Sequence, residues 1–231
     1  MARFTKFEVV QKMGESGMVP VFYHPDLEVC KSILKATYEG GARVFEFTNR
    51  GDFAHEIFGA LNKWTASECP EMILGVGSVI DPATTALYLQ LGANFIVSPV
   101  MNPEMAKICN RRKVAWSPGC GSLTEISRAE ELGCDVVKIF PGQQVGGPEF
   151  VKAVKGPFPW SLIMPTGGVK PERDNLLEWF KAGVHCVGMG SQLMVKDASG
   201  NFDLNAISAK TAAALAIIDN FKQDHYACNH R

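Results

Sequence analysis

The chain has 231 residues, 46% of them hydrophobic and 20% charged, which describes a globule with ample core and is ordinary for a single large domain. Its 23 basic and 24 acidic side chains nearly cancel and no basic block stands out, which argues against nucleic acid or an anionic membrane as a main partner. The first residues carry no apolar signal core, no apolar run approaches membrane-spanning length, and the seven cysteines show no Cys-x-x-Cys pair, so a cytoplasmic protein with reduced thiols is expected.

Eight short strand-like runs recur along the chain, at residues 19–23, 44–48, 73–79, 95–99, 114–118, 136–141, 162–166 and 186–190. Their spacing of roughly 20 to 30 residues is that of a strand, a loop and a helix. Helical patterns fill the gaps. Residues 27–39 place Val29, Ile33, Leu34 and Ala36 on one face, and residues 82–91 follow Asp81, a natural N-cap. Residues 104–110, 122–132 and 170–182 occupy later slots, and glycines at 40–41, 92, 133 and 183 stand where a left-handed C-cap returns the chain to a strand. Regular alternation forces parallel strands, and eight such units close into an α/β fold of the (β/α)8 TIM-barrel type. A doubly wound open sheet is the other solution, but no early Gly-x-Gly-x-x-Gly turn supports it. One barrel domain over residues 1–231 is expected, with a flexible tail from about 221. In that tail His225, Cys228 and His230 have the residue types of a metal site but read as a frayed terminus.

The sixth run, Val136-Val137-Lys138-Ile139-Phe140-Pro141, holds a lysine where a strand should exclude a cation. A desolvated amine is a nucleophile toward a ketone, so Lys138 is a candidate for Schiff-base chemistry; a packed stem with its head in water is the other reading. Barrels place their active sites at the C-terminal strand ends. Alternation puts Val44, Glu46 and Thr48 on one face of the second run, with Arg50 just beyond it. It groups Val136, Lys138 and Phe140 on the sixth, Met164 and Thr166 on the seventh, and Val76 and Ser78 on the third. Glu46 and Lys138 can then both point into the barrel mouth, as a structural ion pair or as an amine with its acid/base partner. The planar guanidinium of Arg50 suits a substrate carboxylate; a solvated loop arginine is the other reading. Two glycine-rich turns, Pro165-Thr166-Gly167-Gly168-Val169 and Gly188-Met189-Gly190-Ser191, end the last two runs, where barrels often bind phosphate.

Five segments are involved in a family resemblance: Glu46-Phe47-Thr48-Asn49-Arg50, Gly75-Val76-Gly77-Ser78-Val79, Ser98-Pro99, Val137-Lys138-Ile139-Phe140-Pro141 and Pro165-Thr166-Gly167-Gly168-Val169. In order and spacing, from about residue 19 to about 195, they resemble the 2-keto-3-deoxy-6-phosphogluconate / 4-hydroxy-2-oxoglutarate (KDPG/KHG) aldolases. The resemblance implies a class I lyase on a (β/α)8 barrel that needs no metal or cofactor, acts on a phosphorylated 2-keto-3-deoxy sugar acid or pyruvate, and assembles as a homotrimer. It also implies a role in carbohydrate metabolism of the Entner-Doudoroff type. By that resemblance Lys138 forms the Schiff base and Glu46 is the general acid/base. Arg50 and Ser78 hold the pyruvyl carboxylate, Pro99 and Thr166 line the pocket, and Gly167, Gly168, Gly190 and Ser191 take the phosphate end. The turns Pro118-Gly119-Cys120-Gly121-Ser122 and Pro141-Gly142-Gln143-Gln144 and the Ser98-Pro99-Val100 stretch depart from the pattern of many relatives. These departures bear on which sugar acid is used. The C4 epimer 2-keto-3-deoxy-6-phosphogalactonate, a phosphosugar isomerase or epimerase, and a non-catalytic sugar-phosphate sensor remain as alternatives.

Overall fold

The computed structural model describes residues 1–229, with side chains described through Asp224. In chain order the elements are α1 (Lys6–Ser16), β1 (Met18–Phe22), α2 (Leu27–Glu39), β2 (Val44–Thr48), α3 (Ala54–Glu68) and β3 (Ile73–Gly77). They continue with α4 (Pro82–Gln90), β4 (Phe95–Val97), α5 (Pro103–Arg112), β5 (Ala115–Ser117), β6 (Gly119–Cys120) and α6 (Leu123–Glu131). The chain closes with β7 (Val136–Ile139), α7 (Gly147–Lys155), β8 (Leu162–Pro165), α8 (Arg173–Lys181), β9 (Val187–Met189) and α9 (Leu204–Asn229).

All strand pairings between these elements are parallel, in the orders β5-β4-β3-β2-β1-β9 and β6-β7-β8. The two arcs join into one barrel. On one side β5 and β6 are halves of a single stave interrupted at Pro118, whose ring removes the ladder donor while its carbonyl still accepts from Lys138 N–H at 3.1 Å. On the other side Thr166 bridges Gly188 in parallel, joining β8 to β9. The eight runs read from the sequence are thus the eight staves of a (β/α)8 barrel, the fifth extending two residues beyond its expected end.

The expected helices form, α2 over the very residues expected, and the Asp81 carboxylate caps α4 by accepting from Thr84 N–H at 2.8 Å. Gly41, Gly92, Gly133 and Gly183 adopt positive φ at helix ends. Four helices go beyond the sequence reading. α3 and α7 begin at Phe53 and Gly146, neither of which offers a side-chain cap. α1 begins with a reciprocal capping box between Thr5 and Glu8. α9 occupies the stretch where a flexible tail is expected from about residue 221. Through Lys222 that stretch is tied down: the Phe221 ring packs on Phe180 at 5.9 Å, and Lys222 Nζ donates to the carbonyls of Gly14 and Glu15. The His225, Cys228 and His230 side chains lie outside the described residues.

The core has two layers. Outside the barrel, Phe45, Phe47, Leu74, Val76, Ile96, Val137 and Ile163 pack against the helices. Inside it, Val19, Val44, Ile73, Phe95, Val97, Val136, Met164 and Cys186 form a second cluster, closed at the N-terminal end by Val9 and Met13 of α1. On the third stave the inward set is therefore Ile73 with its parity mates Gly75 and Gly77, not Val76 and Ser78 as the alternation pattern suggests.

Candidate active site

β2 and β7 lie on opposite sides of the barrel, and each sends a long ionisable side chain inward above the apolar cluster. Glu46 and Lys138 meet there: Lys138 Nζ stands 3.9 Å from Glu46 Oε1, with the residues 4% and 1% exposed respectively. The strand registers set this height. Glu46 is level with Gly75 of β3, and Lys138 is level with Gly119 of β6 and Met164 of β8.

Glycine makes the room. A Cβ on Gly77 would occupy the position of the Glu46 carboxylate, and one on Gly75 would run into the Phe95 ring. A Cβ on Gly119 would strike the carbonyl of Pro99. These glycines belong to the site although sequence reading assigned them no part in it. The signal was available in the alternation Gly75-x-Gly77, which leaves one face of a strand empty where something else must fill it. A second addition is Phe140, whose ring lies 5.0 Å from Lys138 Nζ; its parity with Lys138 was legible, but its contact was not.

Burial is the main force on the Glu46 carboxyl. It raises the pKa above the usual carboxylate value, and attraction to Lys138 pulls the other way. Glu46 Oε2 has no hydrogen-bond partner, and at 3.9 Å the amine is beyond direct bonding distance of Oε1. A buried pair with such loose geometry repays little of its desolvation cost, so folding stability does not account for it. An amine and a proton-accepting carboxyl held side by side, neither fully bonded to the other, are instead disposed to act on a third group brought into the mouth.

The other expected residues lie at the C-terminal ends of their strands, around the same mouth. Arg50 follows β2 and is exposed. Ser78 follows β3 at φ 60°, where it leaves the strand. Pro99 follows β4 and is half-buried beside Gly119. Thr166 follows β8, and its buried Oγ1 has no partner. Gly167 and Gly168 continue with φ of 95° and 82°, and the Thr166–Gly188 bridge sets this turn next to the one carrying Gly190 and Ser191. Among the described residues no hydrogen bond or ion pair joins the side chains of Arg50, Ser78 or Ser191 to the Lys138–Glu46 pair. They ring the mouth without touching its centre.

A (β/α)8 barrel that holds a buried amine and carboxyl at its C-terminal mouth has the architecture of a Schiff-base aldolase. Comparison with known proteins narrows the class. The family model described as KDPG and KHG aldolase matches residues 9–210. The 2-dehydro-3-deoxy-phosphogluconate aldolase of Pseudoalteromonas atlantica is 35% identical over 204 residues, covering 87% of this chain and 92% of the relative. The KHG/KDPG aldolase of Escherichia coli is 33% identical, covering 80% and 85%. Among solved structures, KDPG aldolase from Legionella pneumophila, with pyruvate captured as a covalent carbinolamine intermediate, superposes with a TM-score of 0.79 at 28% identity, covering 89% and 97%. The chain belongs to the KDPG and KHG aldolase family of class I aldolases, which are lyases.

Proposed function

We propose that the protein reversibly cleaves 2-keto-3-deoxy-6-phosphogluconate to pyruvate and glyceraldehyde 3-phosphate, with Lys138 as the Schiff-base nucleophile and Glu46 as the general acid/base. The observation that carries this reading is the buried Lys138–Glu46 pair at 3.9 Å in the barrel mouth. The Lys138 amine adds to the C2 ketone, and loss of water from the carbinolamine leaves an iminium. Glu46 takes the proton of the C4 hydroxyl as the C3–C4 bond breaks. The aldehyde departs, and the bonding electrons pass into an enamine instead of a bare carbanion. Protonation of the enamine at C3 and hydrolysis of the iminium release pyruvate and return the amine. A carboxyl that burial makes readier to hold a proton is suited to these transfers at neutral pH.

In this reading Arg50 and Ser78 hold the carboxylate, and Pro99 and Thr166 line the pocket. The Gly167-Gly168 and Gly190-Ser191 turns hold the phosphate, whose binding energy orients the C3–C4 bond. Cleavage of 4-hydroxy-2-oxoglutarate to pyruvate and glyoxylate is a second activity of the same site, as the double name of the Escherichia coli relative suggests. The protein works as one barrel domain per chain, as a homotrimer in the cytoplasm; light scattering that gave a monomer mass would remove the trimer. Among the described residues no helix is long and apolar enough to cross a membrane.

The test is incubation with pyruvate and sodium borohydride, followed by peptide mapping. A reduced pyruvyl adduct on Lys138 is expected. Folded protein with no adduct, or an adduct on a different lysine, would remove the mechanism.

A further inference from the structure

The outer face of β2 carries a run of aromatic rings that ends on both sides in a phenol. Phe47 meets Tyr23 edge-on at 5.6 Å between centroids and tilts against Phe58 at 5.8 Å. Phe58 in turn meets Tyr88 of α4 edge-on at 5.1 Å. Tyr88 is fully buried, and its hydroxyl donates to Asn49 Oδ1 at 2.7 Å. The Asn49 N–H is bonded as well, to the Gly77 carbonyl at 2.7 Å. At the other end of the run the Tyr23 hydroxyl lies against Gly51, which has φ 86°; a Cβ there would stand 2.9 Å from that oxygen. Between Asn49 and Gly51 stands Arg50, exposed at the mouth.

We infer that Tyr88 and Tyr23 are positioning residues that fix the Asn49-Arg50-Gly51 turn and thereby aim the Arg50 guanidinium at the carboxylate of the 2-oxo acid. The inference rests on the carboxylate-binding role given to Arg50 above. An exposed arginine on a wandering loop would spend only a fraction of its time in the binding pose, and apparent affinity falls by that fraction. A phenol has two side-chain torsions, and here ring packing fixes them. The hydrogen bond at one flank and the space taken up by the Tyr23 hydroxyl at the other therefore pass the rigidity of the barrel wall to the one residue between them. Glu46 and Lys138 do not depend on this contact, so binding should feel its loss more than chemistry.

The measurement is the enzyme-dependent exchange of pyruvate methyl protons for deuterium, followed by NMR, which yields a half-saturating concentration and a maximal rate. Tyr88→Phe should raise the half-saturating concentration about five-fold, the equivalent of one net hydrogen bond, with the maximal rate within about two-fold of the parent. In an Arg50→Gln background the same substitution should add nothing, because the residue it positions is gone. A rise that persists undiminished in that background, or no rise at all, overturns the inference. If Arg50→Gln itself leaves half-saturation unchanged, the carboxylate role of Arg50 fails first and takes the positioning role with it. Tyr23→Phe, at the partly exposed end of the run, is put through the same cycle with the same two outcomes, so loss of folded Tyr88→Phe protein does not remove the test.

Discussion

The two ends of the barrel interior are built from the same strands and do opposite things. At the N-terminal end Val9 and Met13 of α1 complete an apolar cluster, and its polar neighbour His185 is bonded to the Val10 carbonyl at 3.1 Å. At the C-terminal end Glu46 keeps one oxygen unbonded and Lys138 stands just out of its reach. The change takes place within a few residues along single strands: Val44 to Glu46 on β2, Val136 to Lys138 on β7, Ile73 to Gly75 on β3. One end is optimised for packing, and the other retains unpaired polar atoms that packing alone would remove.

Substitutions at matched heights should separate these two jobs. The largest effect is expected for Lys138→Met, which keeps the stem and removes the amine: turnover should fall about 10^4-fold or more, with the borohydride adduct lost and the fold retained. Aldolase assay and circular dichroism on one preparation decide it, and near-parent turnover would refute the assignment. Glu46→Gln should lower turnover by about 10^2- to 10^4-fold.

Glu46→Gln also has a signature in stability. Because burial raises the Glu46 pKa, the stability from its neutral form is fully present below the unfolded carboxyl value and is lost as pH rises through the folded one. Glutamine carries no such loss. The Tm of the variant relative to the parent should therefore improve between pH 4 and pH 8; a flat difference across that range would contradict the burial effect.

Two glycines on one strand make the sharpest contrast. Gly77→Ala puts a methyl group where the Glu46 carboxylate sits, so activity should drop by well over an order of magnitude. Gly75→Ala crowds the Phe95 ring and not the Glu46 carboxylate, so about 1–3 kcal/mol of stability should go with a smaller loss of activity. Thermal melts and kinetics on both variants test the division; equal activity losses would show the two positions to do one job. The smallest effect on turnover is expected for Met13→Ala, which should cost about 2–5 kcal/mol of stability in a denaturant titration and leave kcat close to the parent.

Much of this contrast was legible in the sequence. The runs 44–48 and 136–141 show their parity because bulky residues alternate with the polar ones, and Glu46 and Lys138 were read as facing inward together. The third run misled for a physical reason. Its inward positions beyond Ile73 are glycines, which leave no hydrophobic mark, so Val76 and Ser78 drew the assignment, whereas Val76 packs outward and Ser78 leaves the strand at φ 60°. Helices α3 and α7 escaped because they start without a side-chain cap. Helix α1 escaped although it carries the Thr5–Glu8 box, because it lies ahead of the eight runs and has no slot in their repeat. The distance across the mouth could not be read at all, since it depends on the registers of strands far apart in the chain.

One pairing has a consequence for synthesis. Of the barrel strands β1 leaves the ribosome before the others and β9 after them, yet Met18 pairs with Val187 and Pro20 with Met189. Until residue 189 has emerged, one edge of β1 offers its N–H and C=O groups to any passing strand, and the ring cannot close around Val9 and Met13. Closure therefore waits on the most distant contacts in the chain, the slow kind in folding kinetics. A nascent chain stalled short of β9 is an open sheet with an unpaired edge, exposed to association before it is an enzyme.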